Sequence, residues 1–118
     1  MENCALFAAT LLHSATNTHF FHWSTDSYAK HIALNEYYDG IVELTDNFVE
    51  AYMGKYQKIT SFPSTYHQPK DPVKYLQSLQ SFVEAARADL PQDSELQNLV
   101  DEIADLINTT TYKLVNLK

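Results

Sequence analysis

Side chains suited to binding a metal ion recur along residues 28–53. They are separated by four or seven residues, so at about 100° per residue they share one face of a helix. We call this face the polar stripe, and its members are His31, Asn35, Asp39, Asp46 and Glu50. Imidazole nitrogen together with carboxylate oxygen suits iron, manganese or zinc. With a single cysteine in the chain, a structural thiolate site is not indicated.

The polar stripe carries like charges that repel one another. Asp39 lies four residues before Glu43, and Asp46 lies four residues before Glu50, with no lysine or arginine on the stripe to offset them. Such pairs destabilise a helix by a few tenths of a kcal/mol, and a bound cation would relieve the repulsion. The stripe is also turned away from the middle of the apolar face, as expected if a second copy of the protein covers it. The alternative is an ordinary solvated acidic face.

Histidines near the end of the first predicted helix could complete such a site. His19 and His22 lie one helical turn apart, and Trp23 follows directly. A lone histidine in this position is more often a packing residue than a ligand, and the presence of two of them near an acidic stripe narrows that difference. His13 and His67 have no acidic neighbours at a useful spacing, so we expect both to be structural or surface residues.

Apolar residues at helical spacing predict one all-α domain over residues 1–118. We expect helix A at about 3–23, helix B at about 28–53, helix C at about 72–90 and helix D at about 94–116. Only 2 glycines and 4 prolines are present, too few for a fold of many short strands. For helix A, the expected apolar face consists of Ala5, Ala8, Leu12, Ala15, Phe20 and Trp23, with Ala9 and Thr16 beside it.

Local signals mark where these helices begin and where they pack closely. Residues 24–27 supply side-chain oxygens that can cap helix B, and Asp71 before Pro72 is a typical start for helix C. Ser94 with Gln97 resembles a capping box for helix D. Gly40 lies inside helix B and costs about 1 kcal/mol relative to alanine, so we expect it to mark a close contact.

The connection between helices B and C is long. Residues 54–71 contain Pro63 and Pro69 and show little periodicity. At about 3.3 Å per extended residue, this segment can run the length of a helix of about 26 residues with a rise of 1.5 Å each. Helices B and C would then be parallel. Helices joined by short, long and short connections form a four-helix bundle with one crossover, which is the ferritin-like connectivity.

Composition limits the partners and the compartment. Lysine and arginine total 8 against 15 acidic residues, giving 8 − 15 = −7, and the few lysines are not gathered in a terminal arm. We therefore expect no nucleic-acid partner. No apolar run reaches the roughly 18 residues of a membrane span, and residues 1–4 lack a basic signal region, so we expect no membrane partner. A lone cysteine and the absence of a signal predict a cytoplasmic protein.

The residues of the two candidate regions together resemble the signature of the Dps-like mini-ferritins. The resemblance rests on His22-Trp23, His31, Tyr38-Asp39, Glu43-Leu44, Asp46 and Glu50, and it runs without a gap from residue 31 to 52. Residues 28–33 and 52–56 also resemble small proteins encoded by tailed phages. The resemblance implies a ferritin-like homo-oligomer whose dinuclear iron site lies between two subunits and oxidises Fe(II). For a phage-encoded protein, the cytoplasm would be that of the host.

Carried over residue by residue, the resemblance assigns the metal ligands His22, His31, Asp46 and Glu50. Asn35 stands where the family has an acid, so it can offer a carbonyl oxygen but no charge, and Asp39 is the alternative oxygen ligand one turn later. The expected cofactor is iron, or another divalent metal such as zinc or manganese. The competing hypothesis is a metal-free helical bundle that acts as an interaction module, for example a phage protein that binds a host protein.

Overall fold

The computed structural model describes residues 2–118, which form four α-helices and no strand. The helices are α1 (Glu2–Ser24), α2 (Tyr28–Lys55), α3 (Pro72–Arg87) and α4 (Ser94–Asn116). The predicted all-α class is confirmed. One predicted bound is wrong: α3 stops at Arg87 and not at residue 90. The amide groups of Asp89 and Leu90 bond three residues back, to Ala86 and Arg87, in a tight turn before Pro91.

Side-chain contacts between helices give the topology of the bundle. Helix α1 packs on α2 and α3, and α4 packs on the same two helices, so α1 and α4 lie diagonally opposite. Two contacts in each pair of neighbouring helices give their directions: Phe7–Phe48 and His22–His31, Phe7–Phe82 and Asn17–Tyr75, Glu36–Lys113 and Lys55–Glu95, and Gln80–Asn108 and Arg87–Asp101. In each case the residue number rises along one helix as it falls along the other, so neighbouring helices are antiparallel. Helices α2 and α3 are therefore parallel, as predicted.

The connection from α2 to α3 follows α1 along the bundle. Residues 60–63 line a cleft with Glu2 and Ala5 at the start of α1. Further on, the Tyr66 hydroxyl donates a 2.6 Å hydrogen bond to Asn17, near the other end of the same helix. Ile59 is the one fully buried apolar residue of this segment. The predicted long crossover is therefore present, and we call residues 56–71 the crossover.

An apolar core fills the space between the helices. The Phe7 ring meets Phe48 edge to face at 5.2 Å and stacks on Phe82 at 6.0 Å, which ties α1 to both of its neighbours. Fully buried side chains from every helix continue this core, among them Leu11, Leu34, Ile41, Leu76, Val83, Leu96, Ile103 and Ile107. Each of α2, α3 and α4 thus turns one apolar face toward the core.

The predicted core face of α1 is confirmed at its start and wrong further along. Ala5, Ala8 and Ala9 are buried, whereas Leu12, Phe20 and Trp23 are exposed, at 44%, 37% and 66% of their surface. Besides these alanines, the buried line of α1 consists of Cys4, Phe7, Leu11, Ser14, Thr18, Phe21 and His22. Because three of these buried residues are polar, the line does not appear in the sequence as an apolar repeat. Ser14 and Thr18 are tolerated inside because their hydroxyls donate to carbonyl oxygens one turn earlier in the helix.

The capping predictions have mixed outcomes. Ser27 accepts a hydrogen bond from the Lys30 amide, and Asp71 caps α3 in the same way, as expected. The capping box at Ser94 is absent, because Asp93 is the N-cap residue of α4 and makes no capping bond. The Asp93 carboxylate instead pairs with Lys55 at 3.0 Å and accepts a hydrogen bond from Tyr56. These contacts fasten the end of α2 to the start of α4.

The glycine inside α2 marks a close approach, as predicted. A methyl group added at Gly40 would lie 3.0 Å from Cδ2 of Leu106 on α4. Helices α2 and α4 therefore come together closely at this level of the bundle. None of the four described helices has the length and hydropathy that a membrane span requires.

Replacing Tyr37 by phenylalanine should destabilise the fold by about 1 kcal/mol. Tyr37 is fully buried, and its hydroxyl lies 2.7 Å from Ser14 Oγ. Burial raises the pKa of Tyr37, so the hydroxyl remains a neutral donor. The Ser14 hydroxyl still donates to the Leu11 carbonyl in this variant, so no buried donor is left without an acceptor. Urea unfolding measures the loss, Tyr28→Phe at an exposed site is the control, and equal stability of the two variants would contradict the expectation.

Candidate metal centre

His22 and His31 form a close pair where α1 ends and α2 begins. Their rings stack with centroids 3.6 Å apart and planes 20° from parallel. Nδ1 of His22 lies 2.6 Å from the His31 carbonyl oxygen, and Nδ1 of His31 lies 2.8 Å from the His22 carbonyl oxygen. The short turn at residues 25–27 makes this reciprocal arrangement possible. We call these two residues the histidine pair.

The hydrogen bonds of the histidine pair determine which nitrogen atoms can bind a ligand. A carbonyl oxygen only accepts hydrogen bonds, so each Nδ1 must carry a hydrogen. In the neutral rings the lone pair is then on Nε2. Metal-binding histidines commonly have this form, with one nitrogen donating to a carbonyl oxygen and the other facing the metal. The pair is thus suited to binding a divalent transition metal through Nε2.

Aromatic rings support the pair on the α1–α2 surface. His19 stacks on Tyr38 with centroids 4.1 Å apart and lies 4.5 Å from the Trp23 ring. Tyr38 also meets His22 edge to face at 5.4 Å. The ring face of His19 is therefore covered by Tyr38, which is the packing role that a histidine in this position more often has.

Asn35 and Asp39 lie beside these rings. The Tyr38 hydroxyl donates a 2.5 Å hydrogen bond to Oδ1 of Asn35, and Nδ2 of Asn35 donates to Asp39 at 3.4 Å. The amide oxygen that the sequence offered as a neutral ligand therefore already accepts a hydrogen bond. Asp39 is exposed and carries the charged oxygen atoms at this level of α2.

Asp46 and Glu50 are exposed on α2 but far from the histidine pair. Asp46 follows His31 by 15 residues on one continuous helix, a separation of about 22 Å at 1.5 Å per residue. In residues 2–118 of a single chain, no group of three or more histidine, cysteine or acidic side chains could hold a metal. The expected ligands therefore fall into two groups, at different levels of the same face.

The interior of the bundle offers no carboxylate ligand. The buried polar side chains of the described chain are Ser14, Asn17, Thr18, His22, Thr45, Thr110 and Thr111. A site between facing helices would need inward-pointing acidic residues from several helices. Within residues 2–118, the candidate carboxylates Asp39, Asp46 and Glu50 are all exposed.

A shallow cleft lies between the two groups of expected ligands. It is lined by Ala15, Thr16 and His19 of α1 and by Tyr38, Asp39 and Val42 of α2. Val42 is 39% exposed, and Leu12 on the neighbouring part of α1 is 44% exposed. The surface thus presents imidazoles at one end, small and apolar side chains in the middle, and acidic residues at the other end. We call it the α1–α2 face.

The contact within the histidine pair does not follow from the spacing of residues on α2. The two residues lie on different helices, and their reciprocal bonds depend on how α1 and α2 cross. The one available signal was the short distance along the chain, with His22 in the last turn of one helix and His31 in the first turn of the next.

The model of a family of unknown function, DUF5856, matches residues 22–114. The chain belongs to this family. The matched segment begins at His22 and contains every candidate ligand on α2, together with α3 and most of α4. Because the function of DUF5856 is unknown, membership assigns no chemistry to the histidine pair. No curated protein and no solved structure matches the chain.

Proposed function

We propose that this DUF5856 protein self-associates through its α1–α2 face and binds a divalent transition metal between two copies. The ligands are His22 and His31 of one copy and Asp46 and Glu50 of another. The observation that carries this proposal is the histidine pair, whose reciprocal carbonyl bonds leave both Nε2 atoms to act as ligands. By its resemblance to mini-ferritins, the metal is iron, and zinc and manganese suit the same donors.

A two-fold axis through the middle of the α1–α2 face would unite the two groups of ligands. On α2, the level halfway between His31 and either acidic ligand lies at residues 38–41, beside the central cleft. Antiparallel packing of a second copy there places each histidine pair against the acidic end of its partner. It also covers Leu12 and Val42, which are exposed in a single chain.

The residues of this chain would act on the metal by position and charge. Bound iron supplies one-electron chemistry, with oxidation of Fe(II) by peroxide or oxygen as the reaction implied by the resemblance. The helix-end carbonyl of His22 orients His31, and the carboxylates of Asp46 and Glu50 lower the net charge of the centre. Asp39 adds a carboxylate at the middle of the face, held by the Asn35 amide.

Mixing two inactive variants tests whether copies share the site. His22→Gln/His31→Gln removes the imidazoles, and Asp46→Asn/Glu50→Gln removes the carboxylates, so neither variant alone should bind metal. A mixed dimer holds one intact site, with histidines from one variant and acids from the other. Random mixing makes half of the dimers mixed, so about a quarter of the parental metal binding should return.

Metal content after unfolding and refolding the equimolar mixture is the measurement. The control is each variant refolded alone at the same total concentration. Strong binding by the acid-free variant on its own, or no recovery in the mixture, would count against a site shared between copies.

Charge placed at the middle of the α1–α2 face should separate the copies. Val42→Glu adds an acid beside Asp39, and the two-fold axis brings the same change from both partners together. Burying two close like charges costs several kcal/mol, so the variant should be monomeric at micromolar concentration while the parent is not. Light scattering measures the mass, and Val115→Glu on the exposed side of α4 is the matched control. A monomeric parent would overturn the self-association.

A metal-free interaction module is the second candidate function. It is favoured by three exposed aromatic residues at the end of the bundle where α1 ends: Trp23, Tyr28 and Tyr112, at 66%, 77% and 61% of their surface. Exposed aromatic side chains are typical of binding surfaces. The mixing experiment separates the candidates, because an interaction module gains no metal binding when the variants are combined.

A further inference from the structure

A cleft between α1, the crossover and the start of α3 lies apart from the α1–α2 face. Its volume is about 320 Å³, and Leu6, Ala9 and Pro63 give it an apolar wall. It contains His13 and His67, the two histidines that the metal hypothesis leaves without a role. This volume is at the low end of ligand pockets, so the cleft suits a small molecule of about the size of one substituted ring.

The polar groups that line this cleft are able to donate hydrogen bonds. Thr10 and His13 belong to α1, Thr65 and His67 belong to the crossover, and Tyr75 belongs to α3. In residues 2–118, none of the threonine and histidine side chains among them makes a hydrogen bond within the protein. His13 packs against the edge of the Tyr66 ring, with centroids 5.1 Å apart, so contact between side chains fixes its position.

The hydrogen of the Tyr75 hydroxyl is available for donation to a ligand. It accepts a 2.9 Å hydrogen bond from Nδ2 of Asn17, which is 3% exposed, while Tyr66 donates to the other end of the same amide. Within the described chain, the hydrogen of Tyr75 itself has no acceptor. Burial raises the pKa of Tyr75, so the hydroxyl keeps that hydrogen at neutral pH. Asn17 thus holds a donor in place at the wall of the cleft.

This cleft differs from four others on the surface in the charge of its lining. Those four contain Glu2, Asp39, Asp89 and Asp26, one in each. The cleft at His13 is lined by no acidic residue, although the protein carries a net charge of −7. A ligand with a negative charge would therefore meet donors there without meeting a carboxylate.

We propose that the cleft binds a small organic oxyanion, a carboxylate or phosphate carried on an apolar or aromatic group. The oxyanion accepts hydrogen bonds from His13, His67 and the Tyr75 hydroxyl, and the apolar group rests on Leu6 and Pro63. This site is independent of the proposed metal centre, because it uses a different side of α1 and none of the same residues.

Titration of the full chain with three probes, followed by amide NMR, tests the proposal. Benzoate and phenyl phosphate carry the oxyanion, and benzamide is the neutral match for benzoate. Benzoate should shift amides of residues 10, 13, 65 and 67, while benzamide should bind at least about tenfold more weakly, since hydrogen bonds to a charged acceptor are stronger than those to a neutral one. A comparison of benzoate with phenyl phosphate tells which oxyanion is preferred.

Two variants separate recognition of charge from simple burial of a ring. His13→Gln/His67→Gln should weaken benzoate about tenfold or more, and Gln68→Ala, next to His67 but outside the lining, should leave its affinity unchanged. A circular-dichroism melt confirms that both variants are folded. Equal binding of benzoate and benzamide, shifts centred on surface lysines, or no shift with either oxyanion would each overturn the proposal.

Discussion

Saturating divalent metal should raise the melting temperature of the protein, and His31→Gln should abolish the rise. A ligand at about 100 times its dissociation constant stabilises the folded state by about 2.7 kcal/mol, on the order of 10 °C for a domain of this size. His31 contributes one of the two Nε2 atoms, and its ring stacks on that of His22 with centroids 3.6 Å apart, so the substitution removes both a ligand and this contact. Differential scanning calorimetry with and without Fe(II), Mn(II) or Zn(II) measures the shift.

Substitutions of the acidic ligands should change the stability of the metal-bound and the metal-free protein in opposite directions. Asp46→Asn should remove the metal-dependent rise but make the metal-free protein slightly more stable, by a few tenths of a kcal/mol, because its repulsion with Glu50 is gone. Asn35→Asp adds an anionic oxygen next to Tyr38 and Asp39, so it should lower metal-free stability and speed Fe(II) oxidation if the centre is ferroxidase-like. Melting temperatures that no metal changes, in the parent or in Asn35→Asp, would leave the interaction module as the better hypothesis.

Phe48→Ala should destabilise the protein by about 3–5 kcal/mol. Phe48 is 1% exposed and meets Phe7 edge to face, so truncation removes both the buried ring and an aromatic contact between α1 and α2. Domains of this kind are stable by about 5–15 kcal/mol in total, so the variant should be partly unfolded or close to it. Urea unfolding followed by circular dichroism gives the difference.

The matched control for Phe48 is a phenylalanine in the crossover. Phe62 is 51% exposed, and its truncation to alanine should change stability by no more than about 0.5 kcal/mol. If the two alanine variants unfolded at the same urea concentration, the Phe7–Phe48 contact could not be central to the core.

Much of the fold was determined by the sequence alone. The spacing of Leu34, Ile41 and Phe48 predicted α2, because a helix buries one face and its residues recur every three or four positions. The length of residues 54–71 predicted the crossover, because an extended chain of that length can return along a helix. Local chemistry also sufficed at Asp71 and Pro72, where α3 begins as predicted.

Other features were decided only by tertiary packing. The core line of α1 contains Ser14, Thr18 and His22, so apolar spacing pointed to the wrong side of the later part of this helix. Thr18 donates to a carbonyl of its own helix, whereas Ser14 bonds to Tyr37 and His22 bonds to the His31 carbonyl, and packing alone brings these two partners into place. At the start of α4, Asp93 bonds to Lys55 and Tyr56 of a different segment, and this outweighed the local capping pattern at Ser94.

The candidate metal centre shows both contributions. Spacing along one helix placed His31, Asp46 and Glu50 on the same face of α2, and the resemblance to mini-ferritins added His22 to them. Spacing could not give the reciprocal bonds that free both Nε2 atoms, which depend on the crossing of α1 and α2 at a short turn. Nor could it give the cleft around His13 and His67 with no acidic residue in its lining, since its walls come from α1, the crossover and α3, which meet only in the folded bundle.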